Sequence, residues 1–234
     1  MIELEGAGER ASMVVEGPGG RYRQEAPFAL GCEWAKSSVR RMLGIRNGWR
    51  GYGTDSAVAD FEMQCDLPKK LSRIVLDPKR PYGFFYFAPG RWRFIHRINE
   101  SEDRWEAITE SAATELLHSK LSRARTSRFL WASAFRLGQG QSQTYRQGRW
   151  FLCGDAAHAM GPSAGAGMMV GVLGARRLAW RLALATKGDP RGQALLDGYE
   201  REQRAASEEV SCNAYWLGRN EQVSGSSPLG SLFC

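Results

Sequence analysis

One stretch concentrates the residues that could do chemistry. It reads Gly148-Arg149-Trp150-Phe151-Leu152-Cys153-Gly154-Asp155-Ala156-Ala157-His158, followed by Pro162, Gly165, Ala166, Gly167 and Met168. A short apolar strand runs into an aspartate, then into small residues, then into a glycine-rich helix entry. Glycine lets backbone approach a ligand closely. A helix start presents free N–H groups and a partial positive charge. A carboxylate just past a strand end accepts hydrogen bonds from sugar hydroxyls. Together these make a seat for a nucleotide-like or flavin cofactor. The same residues also suit a ligand-free reading: Asp155 as a helix cap, and the glycines as a tight turn feeding a packed helix.

Other chemistries find less support. His158 stands alone, with His96 and His118 far off in sequence, so no paired-histidine metal site is expected. Its expected role is a scaffold hydrogen bond. No nucleophile elbow, P-loop or acid–base pair is present, so no catalytic residue is assigned and a cofactor-free catalyst has nothing to point to it. Arg176 and Arg177 read as a solvated face. Trp92, Phe94, Trp131 and Phe135 could line an aromatic pocket, but a sheet core is favoured.

The motif resembles the second half of the FAD site in flavin-dependent aromatic hydroxylases of the para-hydroxybenzoate hydroxylase type. The match runs through Gly148, Arg149, Leu152, Gly154, Asp155, Ala156, Ala157 and His158. It continues at Pro162, Gly165, Gly167, Met168, Gly171, Ala175, Leu178, Trp180 and Leu182, and 195–204 is similar to the family's next helix. Asp77–Pro81 and Arg91–Phe94 look like segments of 3-(3-hydroxyphenyl)propionate hydroxylase relatives. The resemblance implies that Asp155 holds the ribityl chain of FAD and that Gly154, Pro162, Gly165, Ala166, Gly167 and Met168 face the flavin. It implies that Arg40, in a frame that keeps Ser37 and Arg40, touches FAD and passing NAD(P)H. The implied reaction is NAD(P)H- and O2-dependent hydroxylation of a small aromatic, phenolic substrate.

Departures accompany the match. No Gly-x-Gly-x-x-Gly segment occurs, and Gly6-Ala7-Gly8-Glu9-Arg10 lacks its third glycine. Glu33-Trp34 replace Asp-Gly in the family's middle motif, and Met169, Gly174 and Arg177 replace Asn, Asp and Asn. The expectation is an incomplete α/β FAD-binding domain with an attached mixed β-sheet substrate domain. A truncated gene, a mis-called start or a repurposed half-domain would look like this. Such a chain would be completed by a partner chain or homo-oligomer, or would be a non-catalytic, degenerate flavoprotein half-domain.

Composition bounds the rest. The 234 residues are 43% hydrophobic and 11% aromatic, which suits a globular protein. The net charge of +7 is spread rather than clustered, so neither nucleic acid nor membrane is an expected partner. Five cysteines with no C-x-x-C fit a reducing compartment. A cytoplasmic protein is expected, because no signal-peptide pattern opens the sequence and the uncharged run 159–175 is broken by Pro162 and glycines.

The elements that must position the motif follow from periodicity and breakers. Residues 12–15 and 22–30 are expected strands around the Gly17-Pro18-Gly19-Gly20 turn, and 37–43 a short helix stopped by Gly44. Residues 45–56 read as loop and 57–67 as a strand. Three strands are expected at 74–76, 83–87 and 91–98, with Trp92, Phe94, His96 and Ile98 on one face and Arg91, Arg93 and Arg97 on the other. Helical spacing covers 103–120 through Trp105, Ile108, Ala112 and Leu116, and Phe129, Trp131, Ser133 and Phe135 share a strand face. Strand 150–153, helix 167–185 and helix 193–214 follow, with a frayed tail from Ser224. Gly167, Gly171 and Gly174 form one stripe, at about 1 kcal/mol each against alanine, which implies close approach to backbone or a flat ligand. The domain expectation is 1–56 as a remnant of the FAD-binding domain, 57–140 as the substrate domain, 141–220 as the second part of the FAD-binding domain and 221–234 as a tail.

Overall fold

The computed structural model describes residues 3–5, 10–162 and 165–222. The segment Gly6–Glu9 and the tail from Ser224 lie outside the described residues. Two compact units form. One takes in the described residues up to 50 together with 138–218, and the other takes in 51–137.

The first unit is built on two small sheets and two long helices. Strands β1 (Glu3–Glu5), β2 (Ala11–Gly17) and β3 (Gly20–Ala26) form an antiparallel sheet in that order. Gly17 pairs with Gly20 across the expected turn, and Gly20, just past the two turn residues, takes a positive φ of 102° that glycine accommodates most readily. Strand β4 (Ala29–Gly31) lies parallel to β11 (Trp150–Leu152), and β10 (Arg146–Gln147) closes the other side of β11. Helix α1 (Ser38–Met42) is started by Ser37, whose Oγ accepts the Arg40 N–H at 3.0 Å, and Gly44 follows it at φ 69°. Helix α3 spans Gly167–Thr186 and α4 spans Gly192–Gln222. Leu196, Tyr199, Gln203, Ser207, Ser211 and Ala214 are the buried positions of α4, spaced three or four apart as one helix face requires. Phe151, Leu152, Leu178, Leu196 and Tyr199 are the centre of this unit's core.

The second unit is a strongly paired sheet with one helix. Strands β5 (Arg50–Gln64), β6 (Arg73–Val75), β7 (Tyr82–Ala88), β8 (Arg91–Ile98) and β9 (Arg125–Gln141) lie in the order β9-β5-β8-β7-β6. The far end of β9, at Gly140 and Gln141, belongs to the first unit and pairs with β12 (His158–Ala159). Along β8 the expected alternation holds: Trp92, Phe94, His96 and Ile98 are buried. Phe84 stacks on Phe94 at 4.8 Å, and Phe61 meets Phe129 edge-on at 5.5 Å. Helix α2 (Glu110–Lys120) covers this face with Ala113 and Leu117.

Three expectations need correction. The loop reading of 45–56 gives way at Arg50, where β5 begins, because cross-strand pairing from Asp55 onward carries the backbone despite its glycines. The single helix over 103–120 breaks at Thr109, whose Oγ1 caps α2 by accepting the Ala112 N–H. The fully buried positions are then Ala113 and Leu117, with Leu116 partly buried against the same core, and Trp105 is exposed with Arg104 over its ring at 5.7 Å. Phe129 and Ala132, three apart, both pack on the core. Trp131 lies instead beside Arg93, 6.0 Å from its ring, so strict alternation slips along this part of β9. Of the four aromatics read as core, Trp92 and Phe94 are buried, but Trp131 is half exposed.

Candidate functional site

The parallel pair β4–β11 delivers the motif. The Cys153 N–H donates to the Gly31 carbonyl at 3.0 Å, extending the ladder one step past Leu152. The chain then turns sharply at Gly154, whose φ of 60° a side chain would resist. A single 3-10 turn, Gly154–Ala156, follows. Ala156 and Ala157 are buried, whereas Asp155 points outward and is exposed. No described residue hydrogen-bonds its carboxylate. Partial desolvation with nothing to offset it holds the Asp155 pKa above the ordinary aspartate value. The capping alternative therefore finds no support: Asp155 caps nothing among the described residues.

Helix α3 starts beside this turn. Its N-cap, Ala166, offers no side-chain acceptor, so the first-turn N–H groups of Gly167, Met168 and Met169 have no side-chain cap. Gly165 takes φ 62° and donates its N–H to the Pro162 carbonyl at 2.8 Å. Met168 is 81% exposed. A Cβ on Gly171 would stand 3.7 Å from the Gly154 Cα, so this glycine brings helix backbone against turn backbone. Gly174 faces the Gln203 side chain instead, and Gly167 faces Met160. The expected close approach of backbone holds at Gly171 alone.

Arg40 is buried, at 5% exposure, and reaches under the turn. Its guanidinium donates to the Ala156 carbonyl at 2.8 Å and to the Ala35 carbonyl at 2.6 Å. Burial lowers its pKa, the nearby Glu33 carboxylate opposes this, and Arg41 adds to it. Arg40 therefore lies inside this unit rather than on a solvated face of α1. Its charge is spent on two backbone carbonyls, one of them in the Asp155 turn, and its Nε finds no partner. Glu33, which departs from the family motif, takes a helix-capping role. Its Oε1 accepts the Val39 N–H at 2.9 Å and its Oε2 accepts the Ser37 hydroxyl at 2.8 Å. Burial pushes the Glu33 carboxyl up, but these hydrogen bonds outweigh it and hold it below the ordinary glutamate value. Trp34 beside it is 76% exposed.

A polar layer lies beneath the motif. Gln203 on α4, fully buried, donates from Nε2 to His158 Nε2 at 2.9 Å and to the Val170 carbonyl at 3.1 Å, and its Oε1 accepts from Arg177 at 2.7 Å. His158 is thereby a scaffold residue, and burial pushes its pKa down to about 4. Arg177 is half-buried rather than solvated, and Arg181 is buried with an ion pair to Glu202 at 2.9 Å. Tyr145 bonds Ser207 at 3.0 Å and Gln141, and burial raises its pKa to about 12. Sequence reading missed Gln203, Tyr145 and Ser207. The signal for the α4 pair was there: polar residues at helical spacing on a face otherwise filled by Leu196, Tyr199 and Ala214.

The FAD binding domain family matches this architecture over residues 2–214. The chain belongs to that family. A relative in Rhodococcus jostii, named probable NADH-specific resorcinol 4-hydroxylase, is 29% identical over 207 residues, which are 86% of this chain and 38% of the relative. A 3-(3-hydroxy-phenyl)propionate/3-hydroxycinnamic acid hydroxylase of Mycolicibacterium smegmatis is 30% identical over 82% of this chain and 34% of its own length. Among solved structures, a ternary complex of aklavinone-11 hydroxylase with FAD and aklavinone superposes with a TM-score of 0.83 at 26% identity, covering 94% of this chain and 44% of that one. The chain thus spans well under half the length of these relatives. The α/β expectation, with its attached mixed sheet, agrees with this membership. Among the described residues no helix is long and apolar enough to cross a membrane.

The residues present fit a flavin on their own geometry. Asp155 is an exposed carboxylate without a hydrogen-bond partner among the described residues, the first turn of α3 offers donors without a side-chain cap, and Gly154 and Gly171 keep side chains out of the space between them.

Proposed function

We propose that this chain forms part of an FAD-dependent monooxygenase that hydroxylates a small aromatic, phenolic substrate with NAD(P)H as reductant. The observation that carries the reading is the Asp155 carboxylate, without a hydrogen-bond partner among the described residues, on a turn set against the uncapped start of α3, in a chain of the FAD binding domain family. In this reading Asp155 accepts hydrogen bonds from the ribityl hydroxyls. The backbone N–H groups of Gly167 and Met168 face the polar edge of the flavin ring and stabilise negative charge there. Gly154, Pro162, Gly165 and Ala166 leave room for the ring. Arg40 positions the turn through the Ala156 carbonyl rather than touching the cofactor. FAD supplies hydride acceptance and reaction with O2, and the protein orients it and excludes water.

The division of labour follows the two units. Residues 51–137 form the substrate domain of the proposal. The sheet face opposite its core carries Arg93 over Phe87 at 5.6 Å and beside Trp131, with Arg93 bonded to Asp60 at 2.8 Å, a surface suited to a flat phenolic ring.

The deciding experiment is an absorbance spectrum of the purified protein after incubation with excess FAD and desalting. Flavin bands are expected to remain with wild type and to fall at least about tenfold at matched concentration with Asp155→Ala, a charge-assisted hydrogen bond being the stronger kind. Retained flavin would then be assayed for NADH and NADPH oxidation with phenolic acids. A colourless wild-type protein that cannot be loaded would sink the flavin reading and leave the degenerate half-domain.

A further inference from the structure

The described residues contain a second reactive cluster, beside the residues that the flavin reading uses. Cys32 and Cys153 are both free thiols, one exposed and one 4% exposed. They occupy the next register step after the Gly31–Leu152 pair of the parallel strands β4 and β11. Neighbouring strands lie about 4.8 Å apart, and a disulfide needs Cα atoms about 4.4–6.8 Å apart. The Cys153 N–H to Gly31 carbonyl bond of 3.0 Å holds that spacing. The two thiols act on each other: Cys153 raises the pKa of Cys32, and Cys32 lowers that of Cys153. Tyr199 completes the surroundings. Its hydroxyl donates to the Leu152 carbonyl at 3.0 Å, and its presence also lowers the Cys153 pKa.

We infer that Cys32 and Cys153 are a reversible dithiol–disulfide pair, oxidised by hydrogen peroxide and able to chelate thiophilic trivalent arsenicals. The Cys153 sulfur is the nucleophile, because the neighbouring Cys32 thiol holds its pKa below the ordinary cysteine value. Attack on peroxide forms a sulfur–oxygen bond, breaks the oxygen–oxygen bond and releases hydroxide, which takes a proton to become water. Cys32 then attacks the Cys153 sulfenic acid. The sulfur–sulfur bond forms, the sulfur–oxygen bond breaks, and the second oxygen leaves as water with the Cys32 proton. The two thiols lose two electrons, which peroxide takes. The product staples the end of β4 to the residue that precedes the Gly154–Ala156 turn.

The test is made on the full chain without flavin, so its failure is distinguishable from failure of the flavin reading. Reduced protein is treated with hydrogen peroxide, blocked with an alkylating reagent and digested without reductant for mass spectrometry. A Cys32–Cys153 cross-linked peptide is expected, reversible by a dithiol reductant and undiminished in Cys65→Ser. Cys32→Ser, a change at an exposed position, is expected to abolish the cross-link and leave a sulfenic acid at Cys153. Phenylarsine oxide is expected to bind reduced wild type and to lose at least about tenfold in affinity in Cys32→Ser, since one of two sulfur ligands is gone. Independent alkylation of both thiols after peroxide, or a cross-link to Cys65 instead, would overturn the inference.

Discussion

Alanine at Gly174 should destabilise the protein, against the ordinary rule for a glycine in the middle of a helix. Helix propensity alone predicts a gain of about 1 kcal/mol. The added Cβ, however, would stand 2.8 Å from both Cδ and Nε2 of Gln203 and 3.1 Å from its Oε1. Gln203 has no exposed surface to retreat to, and three hydrogen bonds fix its amide, to His158, Val170 and Arg177. Overpacking costs about 1–3 kcal/mol, and each buried group left unpaired costs about 1–3 kcal/mol more. Set against the propensity gain, the net loss is about 2 kcal/mol. With a urea slope of about 2 kcal/mol/M, the midpoint should fall by about 1 M, read by tryptophan fluorescence. Gly171 is the internal control. Its Cβ would meet only the Gly154 Cα at an ordinary 3.7 Å, so Gly171→Ala should raise the midpoint by up to about 0.5 M. Combining Gly174→Ala with Gln203→Ala should recover part of the loss, because the two changes share one contact. If Gly174→Ala stabilises as Gly171→Ala does, the pinned Gln203 amide is not what sets this helix against α4.

Other outcomes follow from the buried charges. His158 has a pKa near 4 when folded, below its ordinary 6.5, so the unfolded chain takes up the proton first as pH falls. Stability is full above about pH 6.5 and is lost on the way down to about pH 4, a difference of about 3 kcal/mol. Buried His96 adds to the loss in the same direction. Urea midpoints at pH 7 and pH 5 should show the drop, and His158→Gln should flatten part of it; an unchanged wild-type midpoint would refute the buried neutral imidazole. Arg40→Met keeps the apolar stem but strands the Ala35 carbonyl and leaves the Ala156 carbonyl only the Ser142 hydroxyl, and should cost about 1–3 kcal/mol in the same assay. A loss below about 0.5 kcal/mol would show that Arg40 does not hold the turn. Weakening the bidentate pair between half-exposed Arg93 and buried Asp60 with Asp60→Asn should cost about 1–3 kcal/mol, while an additional rise in phenolic substrate KM would mark the face as functional.

Residue order alone determined the parts of this protein whose signal is local. Period-two burial along β8, the turn at Gly17–Gly20, the short helix stopped by Gly44 and the strand–aspartate–glycine run at 150–167 could all be read directly, because each depends on neighbours a few residues away. The chemistry of the motif was legible for the same reason: aspartate and glycines at that spacing are themselves the turn. Tertiary packing decided what those residues face. Arg40 looks like a surface arginine until the Ala156 carbonyl, more than a hundred positions on, arrives above it. Gly171 and Gly174 are alike on a helical wheel, yet one meets backbone and the other a pinned glutamine. Trp131 belongs on a core face by alternation and lies under Arg93 because the alternation slips. Cys32 and Cys153 are unremarkable in a linear chain and become a pair only when β4 lies parallel to β11. Burial, charge compensation and thiol pairing are properties of contacts between distant segments, and no local spacing encodes which segments will meet.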